Sequence, residues 1–174
     1  TSPNSSTKMR STLVVATSFA LAACAGSGAS VPEPGVPVDA DVLDVRREQA
    51  AQPFAVYSGY SDSTRLVVHT QSQWNEVWAR IAGNATPAPE APEIDFATEM
   101  VIVAAMGTRP SGGYAIRIDR VARRGNTLWA EITSTSPGSG CMSTAALTAP
   151  VDAVVVQKTT GKVVFVESSE VRNC

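Results

Sequence analysis

The sequence offers few combinations of residues that could act in nucleophilic catalysis, which requires a serine or cysteine with a base beside it. His69 is its single histidine. Ser111 lies in Pro-Ser-Gly-Gly and not in the Gly-x-Ser-x-Gly turn that exposes a hydrolase nucleophile. The residues around Cys141 match no catalytic-cysteine signature. No sequence context connects His69 with either side chain, so we expect no catalytic residue and no enzymatic activity.

Motifs for metals and cofactors are absent as well. The sequence has no zinc-type cysteine and histidine spacing, no Walker phosphate loop and no dinucleotide fingerprint. A metal site built on His69 would need carboxylates for all its other ligands, and we interpret His69 as structural. Asp119, Glu131 and Asp152 occupy strand-like segments at positions typical of a solvent-facing side. We therefore expect no metal, no cofactor and no small-molecule substrate.

Cys24 is the residue with the most specific chemical signal. Lys8 and Arg10 precede an apolar run at residues 13–23, which predicts a secretory signal peptide. The run is shorter than the ~20 apolar residues that span a bilayer. Its last residues, Leu21-Ala22-Ala23-Cys24, resemble the lipobox of bacterial lipoproteins, so we expect lipidation at Cys24. The alternative is an ordinary signal peptide with an incidental cysteine.

The other two cysteines, Cys141 and Cys174, form an even pair in a chain that is expected to be exported. Such a pair favours a disulfide. The bond would close a loop of 33 residues, which the chain-entropy model values at about 4 kcal/mol. A nucleophilic role for Cys141 is the alternative.

The charge balance argues against nucleic acid as a partner. The 14 basic and 16 acidic residues give a formal net charge of −2. Removal of a signal peptide takes Lys8 and Arg10 but no acidic residue, which leaves 12 basic residues against 16 and a net charge of −4. Neutralising phosphates requires clustered lysine and arginine.

A Gly/Pro-dense stretch at residues 107–114 is the candidate contact surface. Its three glycines and one proline predict a turn of defined shape between two strands. Loops of this kind often carry binding contacts, and arginine and tyrosine are enriched at interface hot spots. A turn with a structural role only is the alternative. The predicted partner-binding residues are Arg109, Pro110, Ser111, Gly112, Gly113 and Tyr114.

The elements that would position this loop begin with a helix. Thr70-x-x-Gln73 is a capping-box pattern, and an apolar i, i+3, i+4, i+7 series follows until Gly83-Asn84. We expect this series to be the buried face of the helix: Trp74, Val77, Trp78 and Ile81.

Strands should make up the rest of the domain. The apolar run at residues 100–106 is predicted to be buried on both faces. A hairpin is predicted for residues 114–122 with 127–135, around the turn Arg124-Gly125-Asn126, and another for residues 151–156 with 163–166, around the turn Thr160-Gly161. Further strands are predicted at residues 55–60 and 65–70. The predicted fold is α+β, with one mainly antiparallel sheet of about six to seven strands and one amphipathic helix packed on it.

Three segments make up the predicted domain organisation. Residues 1–23 are the signal peptide, with residues 1–8 as an extension upstream of Met9. Residues 24–52 form a lipidated, Pro/Gly/Ser-rich and disordered tether, in which residues 41–52 could instead form a short peripheral helix. Residues 53–174 form the globular domain.

In order along the chain, several features resemble the PrcB-like C-terminal domain family over about residues 55–168. They are Trp74-x-x-x-Trp78, Asp95-Phe96, Gly107-x-x-Pro110-Ser111-Gly112-Gly113-Tyr114-x-Ile116-x-Ile118, and Thr148-x-Pro150-Val151. The family takes its name from a lipoprotein subunit of a spirochaete surface protease complex, and the resemblance implies a noncatalytic accessory role there. The pair of Cys141 and Cys174 departs from the family pattern.

The resemblance and the anchor together predict a lipid-anchored protein of the bacterial cell envelope that binds another envelope protein. A protease is one candidate for that partner. Ala25 after Cys24 fits sorting to the outer membrane of a Gram-negative cell. A protease inhibitor is one alternative, because residues 110–114 are similar to the Pro-Thr-Thr-Gly-Tyr loop of chagasin-type inhibitors. Arg109 replaces the asparagine of that family, and its Arg-Pro-Trp loop has no counterpart. A structural envelope domain without a discrete site is the second alternative.

Overall fold

The apolar run at residues 100–106 forms the central strand of the fold, as the sequence predicts. The computed structural model describes residues 35–83, 85–87 and 89–174, apart from the side chains of Ala50 and Pro53. Within that part of the chain, a 3-10 helix spans Gln49–Phe54. The other elements are β1 (Asp41–Leu43), β2 (Thr64–Val68), α1 (Gln71–Ile81), β3 (Glu99–Ala105), β4 (Ala115–Arg124), β5 (Thr127–Pro137), β6 (Val151–Gln157) and β7 (Val163–Arg172).

These strands form two sheets, so the prediction of a single sheet of six to seven strands is wrong. One sheet has three strands in the order β2-β3-β6, and the other has four in the order β1-β4-β5-β7. β5 and β7 pair in parallel, whereas the other pairings of the described strands are antiparallel. The fold is therefore mostly sheet with one short helix.

β3 separates two hydrophobic cores. Val101, Val103 and Ala105 face the core that contains the helix tryptophans. Met100 and Ile102 face the core shared with β4 and β5. Successive side chains of a strand point to opposite faces, so a continuously apolar strand suits a sheet covered on both sides. The result is three layers: helix, three-stranded sheet and four-stranded sheet.

Helix α1 begins and ends where the sequence predicts. The Thr70 hydroxyl accepts a hydrogen bond from the Gln73 backbone N–H at 3.3 Å. The Gln73 side chain accepts one from the His69 N–H at 3.0 Å, one residue before the position that the capping box specifies. The predicted apolar face is buried, and the two indole N–H groups donate to carbonyl oxygens of the Pro-rich loop: Trp74 to Pro92 and Trp78 to Pro89.

The predicted strand at residues 55–60 is absent. Val56 and Tyr57 lie in a turn and an isolated bridge to Ala149. The Gly59 N–H donates to the Arg80 carbonyl at the end of α1. Valine and tyrosine favour a strand locally, but the backbone of this segment bonds to a loop and a helix end.

The predicted hairpin between residues 151–156 and 163–166 is also wrong. β6 pairs with β3, and β7 pairs with β5 in the other sheet. The chain changes sheets at Gly161, where a Cβ atom would lie 1.4 Å from the Asn126 carbonyl oxygen. β6 is an edge strand of the three-stranded sheet and contributes side chains to both cores, because both faces of that sheet are covered.

Residues 41–52 were assigned to the tether by sequence but contact the domain in the structure. β1 pairs with β4, and Arg46 forms a backbone bridge with Val155. The signal peptide and Cys24 lie outside the described residues. In the part of the chain that is described, no helix combines the length and apolar character needed to cross a membrane.

Candidate functional site

The loop at residues 107–114 lies close against the turn at residues 61–63. Gly107 has a φ of 75°, and a Cβ atom there would lie 2.8 Å from the Ser61 carbonyl oxygen and the Asp62 carbonyl carbon. Thr108 N–H donates to the Ser61 carbonyl at 3.0 Å. Both the backbone angle and the close approach thus require glycine at the start of the loop.

A second loop, residues 141–148, holds the other side of this loop. Arg109 and Thr148 exchange backbone hydrogen bonds of 2.7 and 3.0 Å, and the Gly112 N–H donates to the Thr144 carbonyl at 3.0 Å. The Thr148 hydroxyl donates to the Ser111 carbonyl at 2.8 Å. We call residues 107–114 and 141–148 together the loop pair. These bonds fix its shape through the main chain.

Two of the six predicted contact residues face partly inward. Arg109 is half-buried, and its Nη2 donates to the Met106 carbonyl at 2.6 Å. Its Cζ lies 6.0 Å from the centre of the Tyr114 ring. Tyr114 in turn packs against the core between the sheets. Both side chains pack between the loop and the rest of the domain. Of the six predicted residues, Pro110 and Gly113 are exposed.

Sequence patterns do not mark the exposed apolar side chains beside this loop. Leu147 is 69% exposed and Met142 is fully exposed, both on the second loop. Tyr57 is 60% exposed on the segment that bridges to Ala149. Single apolar residues within polar loops carry no periodic signal, and only the fold brings these three segments together. Exposed apolar side chains that cluster on a surface are typical of protein interaction sites, and these three lie on or next to segments that are joined by backbone hydrogen bonds.

The predicted disulfide between Cys141 and Cys174 is present, with the two Cα atoms 5.2 Å apart. The Gly138 N–H donates to the Arg172 carbonyl at 2.9 Å beside it. The bond attaches the start of the second loop to the end of β7. It also means that Cys141 is not a free thiol, which excludes its nucleophilic role in this state.

The other residues considered for catalysis bond to different partners. The Ser111 hydroxyl donates to the Gly112 carbonyl at 3.1 Å, and His69 lies at the start of α1. Within the described ranges, no group of three or more histidine, cysteine, aspartate or glutamate residues could hold a metal ion.

The carboxylates have structural partners. Glu131 accepts two hydrogen bonds of 2.7 Å from Arg120 on the neighbouring strand, and these hold the pKa of Glu131 below its ordinary value. Hydrogen bonds from Thr98 and the Ala97 N–H similarly lower the pKa of Asp95 in the turn before β3.

The structure also corrects the expectation that Asp152 faces solvent. Its side chain is only 11% exposed. It accepts hydrogen bonds from Arg47 and from the Ile118 N–H. The sequence gives no sign of this contact, because the three residues are far apart along the chain.

Comparison with known proteins supports the expected resemblance. The family model described as PrcB C-terminal matches residues 100–157, which run from β3 to the end of β6 and include the loop pair. This match confirms the resemblance to the PrcB-like domain. No curated protein and no solved structure matches the chain.

Proposed function

We propose that this protein is a noncatalytic accessory module of the bacterial cell envelope that uses the loop pair to bind a partner protein. In this proposal Cys24 carries the lipid anchor, and the partner is an envelope protein of a protease complex. The family match supports the association with a protease complex. The observation that carries the binding role is the fixed loop pair with exposed apolar side chains beside it.

The chemistry of the loop pair suits a protein partner. Pro110, Met142 and Leu147 are exposed on the two loops, and Tyr57 is exposed beside them. A loop held by its own main-chain bonds loses little conformational freedom on binding, which favours affinity. Large apolar and aromatic side chains then supply most of the contact energy at an interface.

Site-specific photocrosslinking in cells tests this role. A photoreactive residue is placed at Leu147 or, as a control, at Arg117 on the exposed side of β4. We expect crosslinking from position 147 to one envelope protein, identified by mass spectrometry, and none to that protein from position 117. Equal crosslinking from both positions, or from neither, would contradict binding by the loop pair. Absence of crosslinking from both positions would favour a structural envelope domain without a discrete site.

A matched pair of substitutions separates binding from folding. Leu147→Asp should reduce capture of the crosslinked partner by about tenfold or more, the loss expected for an interface hot spot. Val42→Asp, at a position with a similar exposure of 61%, should leave capture unchanged. Both variants should keep the wild-type thermal midpoint, because neither side chain is buried. If the Leu147→Asp variant captures the partner as well as the wild type does, the proposal is wrong.

The rigidity of residues 107–114 favours protease inhibition as a second candidate function. An inhibitory loop must keep its shape in a protease cleft, and main-chain bonds fix this loop on both sides. Full-length protein carrying Cys24→Ser, assayed at micromolar concentration against papain-like and subtilisin-like proteases, tests the idea. Absence of inhibition would remove this candidate and leave the binding role intact.

A further inference from the structure

β2 has a free edge. It is the outer strand of the three-stranded sheet, and in the described ranges no other strand pairs with its second side. Alternate residues along a strand direct their N–H and C=O groups to one side. The outward groups of β2 can therefore form main-chain hydrogen bonds with an incoming extended segment.

A groove lies between β2 and α1. It has a volume of about 640 Å³, within the range of ordinary ligand sites. Leu66 of β2 and Val77 of α1 give it apolar walls, and Glu76 and Arg80 line it from the helix. A sheet edge beside a helix-walled groove combines main-chain pairing with room for side chains, the two requirements of strand addition.

Arg80 and Tyr60 give this groove a preference for a carboxylate. Arg80 is exposed, makes no salt bridge within the described part of the chain, and has its Cζ 5.9 Å from the centre of the Tyr60 ring. Tyr60 also lines the groove, is 3% exposed, and its hydroxyl has no hydrogen-bond partner among the described residues. Burial raises the pKa of Tyr60, so the hydroxyl keeps its proton and remains a donor.

We propose that the groove between β2 and α1 binds an extended segment of another protein, which adds a strand to β2 and places an aspartate or glutamate at Arg80 and Tyr60. Guanidinium groups bind carboxylates through paired hydrogen bonds. Glu76, one turn before Arg80 on α1, disfavours a second acidic residue in the ligand. This surface is formed by different residues from the loop pair, so the inference goes beyond the proposed function.

Two synthetic peptides provide the probe. One is acetyl-Val-Thr-Val-Asp-Val-Thr-amide, and the other has asparagine in place of aspartate. Each is titrated into full-length, isotope-labelled protein carrying Cys24→Ser, with backbone amide shifts as the readout. We expect shifts at residues 64–68 and along α1, and about tenfold tighter binding of the aspartate peptide.

Two arginine variants separate recognition from general charge. Arg80→Gln should bring the affinities of the two peptides to within about twofold of each other. Arg117→Gln removes the same charge from β4 and should leave the preference for aspartate intact. Tyr60→Phe should reduce that preference without shifting the thermal midpoint downward, because it removes an unpaired buried hydroxyl.

Several outcomes overturn the inference. Equal binding of the two peptides would exclude a carboxylate site at Arg80. Absence of shifts at residues 64–68, or shifts confined to the loop pair or β7, would exclude strand addition to β2. Concentration-dependent shifts at residues 64–68 without peptide would show that a second copy of the chain occupies the groove.

Discussion

Asp152 joins three separate segments of the chain through polar contacts. Its carboxylate lies 3.2 Å from Nη2 of Arg47 and accepts the Ile118 N–H at 2.8 Å. The same arginine donates to the Ile118 carbonyl. β1 ends opposite Val121 and therefore offers no acceptor to the Ile118 N–H. Asp152 thus connects the two sheets and the N-terminal segment at a point where strand pairing stops.

Replacement of Asp152 should lower the stability of the protein for that reason. Asp152→Ala leaves a partly buried arginine and a backbone N–H without their acceptor, so we expect the free energy of unfolding to fall by about 2–4 kcal/mol. Urea denaturation at neutral pH measures the change. Asp119→Ala is the matched control, because Asp119 is an exposed strand carboxylate and should change stability by less than about 0.5 kcal/mol. Similar small effects in both variants would contradict a structural role for Asp152.

Single elements were predictable where their signals are local. The capping residue and apolar spacing of α1 gave its ends and its buried face, and the Arg124-Gly125-Asn126 turn gave the hairpin of β4 and β5. The sheet membership of β6 and β7 was not predictable in this way. Both strands are rich in valine, and the turn at residues 160–161 fits a hairpin. Their actual partners, β3 and β5, lie far away in sequence, so no local pattern specifies the division into two sheets.

The β4–β5 hairpin should lose one of its cross-strand contacts in acid. The pKa of Glu131 is lowered in the folded protein by hydrogen bonds from Arg120. Its contribution to stability is therefore present above the unfolded-state pKa of about 4.3 and is lost as the pH falls through the folded-state value.

Glu131→Gln should thus lower the free energy of unfolding by about 0.2–1 kcal/mol at neutral pH, as expected for a partly exposed ion pair. The difference between wild type and variant should vanish in acid. Urea denaturation across a pH series measures this difference, and high salt should diminish it at neutral pH. A difference that grows as the pH falls would contradict the assigned ion pair.

At the scale of the whole molecule, sequence patterns predict the first loop of the candidate site but not the second. Glycine and proline at residues 107–114 marked a shaped loop, but the inward direction of Arg109 and Tyr114 depends on the core beneath them. The second loop carries no local signal, and the fold alone places it beside the first. The disulfide was predictable because counting cysteines in an exported chain needs no geometry. The loop pair therefore depends on contacts that close only in the complete fold.

The disulfide should accordingly stabilise both the molecule and the loop pair. Cys141→Ser with Cys174→Ser, made in a Cys24→Ser background so that no thiol can mispair, should lower the free energy of unfolding by about 4 kcal/mol, because the open 33-residue loop gains freedom in the unfolded chain. Urea denaturation measures this, and reduction of the Cys24→Ser protein should reproduce it. Amide hydrogen exchange should accelerate at residues 141–148 and at the end of β7 more than in β3, which lies between the two cores. Uniform acceleration would show that the bond stabilises the whole fold without holding the loop pair in place.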